Sequence, residues 1–282
     1  MIGGVLVVGE RINATRARIG AALASRDVKL IAREARAQAE AGADYIDVNA
    51  GRAGGSEPEE LAWLVECVQA ATDRPLCLDS ADPAALGRAL GLTREKPIIN
   101  SVNGDRARMD GVLPLAAASG AGLVALTMEE GRMPESVADR VRVAEKLARA
   151  AASAGIPLSR VYFDPCVLAA ATSPDQPRIV LETVREIRRA WPDSHVICGL
   201  SNVSFGLPLR GLLNRTYLAM MVAYGADALI IDPTDPGIRS ALAAAGVLAG
   251  RDEYGMEYIA AVREGRLSDG GARPAGIGGG KG

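Results

Sequence analysis

The sequence has no clustered cysteines: Cys67, Cys77, Cys166 and Cys198 stand far apart, form no CxxC pair and lie in apolar runs. Disulfide frameworks and zinc sites show clustered spacing, so these four read as buried thiols of a reducing compartment, and no metal site is expected. Long apolar runs are also missing. No stretch approaches the roughly 18 to 20 uninterrupted apolar residues of a membrane span, and the N-terminus lacks a basic segment followed by an apolar one. An excess of positive charge is missing too. Lys and Arg number 32 against 34 Asp and Glu, the net charge is -2, and the basic residues are scattered, which offers no sequence-independent surface for phosphates. The expectation is a cytoplasmic protein that crosses no membrane and binds no nucleic acid.

What is present is a chain of 282 residues, 49% hydrophobic, long enough to bury one large core. Short apolar or β-branched runs recur at Val5 to Gly9, Tyr45 to Asn49, Pro75 to Asp79, Ile98 to Ser101, Leu123 to Met128, Val161 to Asp164, Val196 to Leu200 and Leu229 to Asp232. Between them lie segments with apolar residues at three and four spacing, such as Asp27 to Glu40, Glu57 to Ala71, Pro134 to Ala154 and Pro174 to Trp191. Eight strands alternating with helical segments fit an α/β fold of one (β/α)8 TIM barrel better than a doubly wound sheet, which carries fewer strands at this length. Gly42, Gly120, Gly155 and Gly225 each follow a helical run and precede a strand, where a positive φ ends a helix at little cost. The barrel is expected over residues 1–267, with a last helix near Tyr254 to Glu264. A Gly-rich tail, 268–282, is expected to be disordered.

In such barrels the chemistry sits at the C-terminal strand ends. Those ends carry Glu10 and Asn13, Asp47 and Asn49, Asp79 and Ser80, Asn100, Ser101 and Asn103, Asp164, the run Ser201, Asn202 and Ser204, and Asp232. The ring is rich in Asp and Asn and nearly free of Lys and His. That suits a neutral, flat, donor-rich ligand better than a phosphate or a metal ion. A pterin fits: its 2-amino, N3 and N8 groups donate to carboxylates, while carboxamides pair with ring atoms of either sense. An unmatched polar group buried in such a pocket costs about 1 to 3 kcal/mol. Any single position is served equally well by a helix cap or a turn, as Asp82 and Asp105 are expected to be, so the argument rests on the collective pattern.

Six segments lie in order, each at its own strand end: Gly9-Glu10-Arg11-Ile12-Asn13, Leu78-Asp79-Ser80, Ile99-Asn100-Ser101, Leu126-Thr127-Met128, Phe163-Asp164-Pro165 and Gly199-Leu200-Ser201-Asn202-Val203-Ser204. With these the chain resembles the pterin-binding methyltransferases, and among them the methyltetrahydrofolate:corrinoid/iron-sulfur protein methyltransferases, which are homodimeric barrels of the dihydropteroate synthase-like kind. The likeness runs through Leu213-Asn214-Arg215-Thr216 and covers nearly the whole chain except the tail. It implies that Asp79, Asn100 and Asp164 hydrogen-bond the pterin, that Asn202 reaches the N5 and methyl region, that Arg210 lies near the folate tail, and that Ile230 packs on the ligand. One stretch departs from the pattern. Ser204-Phe205-Gly206-Leu207 stands where those relatives carry a glutamine, so the loop from Phe205 to Leu209 is where ligand or partner contacts differ.

The resemblance further implies methyltetrahydrofolate or tetrahydrofolate as substrate and a corrinoid supplied by a partner protein. Breaking the N5-methyl bond needs a proton or strong hydrogen bond at N5, and a carboxamide gives up no proton at neutral pH. Asn202 is therefore cast as a partner of N5-protonated folate, with the proton arriving from solvent or a water near Asp164. Asp193-Ser194-His195 begins like a cobalamin-binding motif but has Cys198 where that motif needs Gly, so His195 is read as a residue at the barrel bottom. Asp47 and Asn49 are expected to fix neighbouring side chains, and Glu10 and Asn13 to face either the corrinoid or the loop backbone. Met109, Met128, Met220 and Met221 are expected in the core. Two rival functions stand beside this one. Dihydropteroate synthase shares the fold but needs a lysine after strand seven and an Arg-x-His at strand eight, and these places read Ser201-Asn202-Val203-Ser204 and Ile231-Asp232-Pro233. A folate-binding subunit without turnover is the other.

Overall fold

A computed structural model describes residues 2–51, 55–129 and 131–267; the expected tail lies outside them. Eight strands are found: β1 (Leu6–Asn13), β2 (Tyr45–Asn49), β3 (Leu76–Asp79), β4 (Ile98–Val102), β5 (Gly122–Leu126), β6 (Val161–Asp164), β7 (His195–Val196) and β8 (Ala228–Ile231). All neighbouring pairs are parallel, in the order β7-β6-β5-β4-β3-β2-β1-β8. The two ends meet through a parallel bridge between Gly199 and Ile230, with Ile230 N–H donating to the Cys198 carbonyl at 2.9 Å. The expected barrel is therefore present. Helices α1 (Ala17–Ser25), α2 (Val28–Glu40), α3 (Glu57–Gln69), α4 (Pro83–Leu90), α5 (Arg106–Ser119), α6 (Val137–Ser153), α7 (Gln176–Ala190), α8 (Arg210–Tyr224), α9 (Pro236–Leu248) and α10 (Met256–Arg263) follow the strands. None of the described helices is long and apolar enough to cross a membrane.

The period of two along each strand decides what the barrel encloses. Val8, Tyr45, Cys77, Ile98, Val124, Tyr162, Ile197 and Ala228 belong to one small apolar cluster, separate from the large cluster between sheet and helices. That small cluster fills the barrel interior. Two residues further along the same faces stand Glu10, Asp47, Asp79, Asn100, Leu126, Asp164, Gly199 and Ile230. Register sets them side by side: Asp47 pairs with Cys77, Asn49 with Asp79, and Asp79 with Asn100. An apolar layer below and a polar layer above follow from strand parity alone.

Glycines punctuate the bottom face as expected, with φ of 96° at Gly42, 69° at Gly120, 76° at Gly155 and 113° at Gly225. His195 lies there too, stacked on Tyr162 at 4.6 Å with Nδ1 2.8 Å from Asp227. Several expectations need correction. Strand β1 continues past Gly9 to Asn13 because an irregularity between Gly9 and Ile12 carries Glu10 and Arg11 without ending the ladder. Strand β7 stops at Val196, and Leu200–Ser204 forms a 3-10 turn. Helix α6 starts only at Val137, where Ser136 and Asp139 form a capping box. Asp82 caps α4 through the Ala84 N–H, but Asp105 makes no such bond at α5 and accepts instead from the Asn103 amide at 2.8 Å. Met109 and Met221 are buried, whereas Met128 is half-buried and Met220 is 43% exposed on the outer face of α8.

The N-terminal cover of the barrel depends on one close backbone approach. A Cβ on Gly246, inside α9, would lie 2.5 Å from Gly3 backbone atoms. Alanine ordinarily stabilises a helix interior relative to glycine by about 1 kcal/mol. Here the contact is with backbone and cannot yield, so Gly246→Ala is expected to destabilise by about 1 to 3 kcal/mol, read as a lower denaturation midpoint in urea.

Candidate active site at the barrel mouth

The polar layer opens into a cavity of about 330 Å³ lined by Glu10, Asn13, Thr15, Arg16, Asp47, Asp79, Asn100, Gly199, Ser201, Asn202 and Ile230. Of the six expected site residues, Asp79, Asn100, Asn202 and Ile230 are brought together in this lining. Asp164 is buried at the end of β6 and is not among the lining residues, while Arg210 stands at the rim on the first turn of α8. Asp47 also lines the cavity. Asn49 sits just behind, its side chain held by the Gly51 N–H at 3.0 Å and bonded to Asp79.

The carboxylates of this layer are costly to ionise in place. Asp164 is pushed up to about 7 by burial, which the Cys166 N–H at 2.7 Å and the charge of Arg140 only partly offset. Asp47 is pushed well up by burial and then by neighbouring Asp79, with Cys77 and Asn100 as its side-chain partners. Its Oδ1 is buried and accepts no hydrogen bond. Asp79 is raised by burial, against the pull of Asn49 and Arg108. The Asp47 Oδ1 is acceptor capacity that the protein leaves unfilled, and a ligand rich in N–H donors would supply what it lacks.

Arginines outside the polar layer hold the loops that carry it. Arg140 of α6 is fully buried, and it donates to the Pro165 carbonyl at 2.7 Å, the Cys166 carbonyl at 3.4 Å and Gln176 Oε1 at 2.6 Å. It fixes the turn after Asp164. Arg108 of α5 donates to the Ser80 and Ser101 carbonyls, both at 2.6 Å, and to Ala81, joining the ends of β3 and β4. Arg11 binds Glu34 at 2.8 Å, Asp232 at 2.8 Å and Thr234 at 3.1 Å, tying the first strand to the loop after the last. Arg210 donates to the Ser201 carbonyl at 2.8 Å and Ser204 Oγ at 3.0 Å, bracing the turn that presents Asn202.

Some strand-end residues turn out to serve the loops. Asp232 is consumed by Arg11 and by the N–H and hydroxyl of Thr234, at 3.0 and 2.6 Å. Asn103 pairs with Asp105. Asn13 accepts from the Thr15 N–H at 3.0 Å and its hydroxyl at 2.6 Å, although it also faces the cavity. The arginine clamps and Arg16 carry no signature in strand-end reading, because their partners follow no fixed spacing in sequence. A larger cavity of about 450 Å³ lies beside the mouth, lined by residues including Met128, Glu129, Met133 and Arg142. Its Glu129 is already paired with Arg142 and with Lys146 at 2.9 Å. Among the described residues no group of His, Cys, Asp and Glu is arranged to hold a metal ion.

The barrel thus carries acids and amides at its mouth above an apolar interior. Residues 9–232 match the family of pterin-binding enzymes, and the chain belongs to that family. It is 35% identical over 265 residues to the methylcorrinoid:tetrahydrofolate methyltransferase of Eubacterium limosum, covering 93% of this chain and 98% of that protein. It is also 29% identical over 240 residues to the methionine synthase of Mycobacterium tuberculosis, covering 80% of this chain but only 20% of that longer protein. Dihydropteroate synthases share the fold. Those of Xanthomonas albilineans, in complex with 7,8-dihydropteroate, and of Yersinia pestis superpose with TM-scores of 0.71 and 0.69 at 22% and 18% identity, covering 86% and 87% of this chain and 93% of each of theirs.

The raised Asp164 carboxyl has a consequence for the free protein. In the unfolded chain it titrates near its ordinary value of 3.8, whereas in the folded chain it holds its proton to about 7. The folded state therefore binds more protons between these limits. The stability this group contributes is fully present below about pH 4 and is lost as pH rises through about 7. Asp164→Asn, which keeps the shape and removes the ionisation, is expected to flatten this part of the stability profile between about pH 4 and 7. Thermal unfolding across that range checks it, and an unchanged slope would contradict the assignment.

Proposed function

We propose that this chain is a cytoplasmic, homodimeric methyltransferase that moves the N5-methyl group between methyltetrahydrofolate and the cobalt of a corrinoid carried on a partner protein. The carrying observation is the convergence of Asp47, Asp79, Asn100, Asn202 and Ile230 on one cavity, with the Asp47 Oδ1 buried and without a hydrogen-bond partner. Near full-length relationship to the Eubacterium limosum methyltransferase supports the choice of substrates.

In this reading Asp79, Asn100 and Asp164 accept from or pair with the pterin edge, and Ile230 covers its apolar face. An Asp164 that accepts pterin N–H bonds is drawn toward its ionised form, because bonds to the charged form favour it. The proton it gives up on ligand binding is available, through a water, near the ring. Asn202 stabilises N5 as it gains a proton, which turns the folate nitrogen into a tolerable leaving group. Arg210 stands near the tail and keeps the Asn202 turn in place. The reduced corrinoid is the co-substrate that supplies the nucleophile, and the barrel supplies orientation and a water-poor floor. Dihydropteroate synthesis is disfavoured by Ser201-Asn202-Val203-Ser204 and Ile231-Asp232-Pro233, which put no lysine or Arg-x-His where a diphosphate would leave.

The test mixes purified protein with chemically reduced cob(I)alamin and methyltetrahydrofolate and follows the cobalt absorbance. Methyl transfer is expected, with Asn202→Ala slower by about 10² to 10³-fold and Asp164→Ala losing most of the rate. Folate binding without transfer would favour a non-catalytic folate-binding subunit, and absence of folate binding would remove the pterin reading altogether.

A further inference from the structure

The mouth cavity is unbalanced in charge. Glu10, Asp47 and Asp79 line it, and among its lining residues Arg16 is the one cation. A pterin ring is neutral, but a folate continues into a glutamate whose carboxylates are ionised at neutral pH. Among the side chains that line the cavity, such a tail has one favourable charged partner, Arg16.

Among the described residues, the other arginines whose bonds hold the mouth loops have most of their donors committed. Arg11 is spent on Glu34, Asp232 and Thr234. Arg108 holds carbonyls after β3 and β4, and Arg140 holds those after β6. Arg210, which the family likeness puts near the tail, uses its Nε and one Nη to brace the Asn202 turn. Arg16 differs. Its backbone is fixed, with its N–H on the Asn13 carbonyl at 3.0 Å and its own carbonyl accepting from Ile19 and Gly20, both at 2.9 Å. Its side chain is 40% exposed and makes a single long ion pair, 3.3 Å, with Glu10. Burial pushes the Glu10 carboxyl up from the ordinary range, and the charge of Arg16 only partly offsets it. A fixed base with a fork of donors still open is suited to a carboxylate that arrives from solvent.

We propose that Arg16, at the start of α1, is the subsite for the glutamate carboxylates of the folate tail and makes this protein select glutamate-bearing pterins over truncated ones. The assignment rests on the pterin reading above. It divides the ligand between a neutral end, read by the strand-end acids and amides, and an anionic end, read at the rim.

The experiment measures dissociation constants of tetrahydrofolate and of tetrahydropteroate, which lacks the glutamate, by calorimetry under anaerobic conditions, for the unaltered protein, Arg16→Gln and Arg16→Lys. The unaltered protein is expected to bind tetrahydrofolate about tenfold more tightly than tetrahydropteroate, as a charge-assisted pair at a half-exposed site allows. Arg16→Gln is expected to erase that preference while shifting tetrahydropteroate less than about twofold, and Arg16→Lys to restore part of it. Raising salt should narrow the preference in the unaltered protein and leave the Gln variant indifferent. If both compounds bind the unaltered protein equally, or if Arg16→Gln weakens both alike, Arg16 is not a tail subsite although the pterin reading stands. If neither compound binds, the pterin reading fails and this assignment with it.

Discussion

Every strand of a closed parallel barrel ends on the same face, and here that face buries carboxylates without burying cations among them. Asp47, Asp79 and Asp164 sit one step above an apolar interior layer, where burial raises all three. In many proteins a buried acid is neutralised by a direct ion pair. These acids instead have amides, thiols and backbone N–H groups as neighbours, so their need for donors is left partly open. The geometry of the site, its preference for a neutral donor-rich ring and its sensitivity to pH all follow from that one arrangement.

Rigid loops are the counterpart of this arrangement. Arg108, Arg140 and Arg210 reach backbone carbonyls of the loops and Arg11 reaches Glu34 and Asp232, so these cationic groups work at one remove from the acids of the layer. Guanidinium is suited to the task because its planar donors satisfy several carbonyls at once and remain charged when buried. The fully buried Arg140 shows the principle most clearly. It has no carboxylate partner among its hydrogen bonds and is satisfied by Pro165, Cys166, Ser136 and Gln176.

How much of this could be read from the chain follows from the range of each interaction. Strand parity is local, so the inward placement of Asp47, Asp79, Asn100 and Asp164 and the positive φ at Gly42 or Gly225 were legible from spacing. Four of the six expected site residues converge on one cavity for the same reason. The short β7, at the seam where the barrel closes, and the irregularity of β1 against β2 were not legible, since both depend on how neighbouring strands meet. The loss of Asp232 to Arg11, 221 positions away in sequence, has no local signal. Nor does the exposure of Met220, whose apolar type says nothing about which face of α8 meets the sheet. Arg16 looks like any charged residue beginning a helix until the fold turns its neighbours into a cavity wall.

The central claim is that the strand-end layer is a pterin site, and the most direct measurement is a crystal structure of the protein with tetrahydrofolate. The account predicts the pterin edge within hydrogen-bond distance of Asp79, Asn100 and Asp164, with Asn202 at N5. A folate seated instead in the neighbouring cavity around Met128 and Arg142, with the strand-end acids untouched, would contradict it.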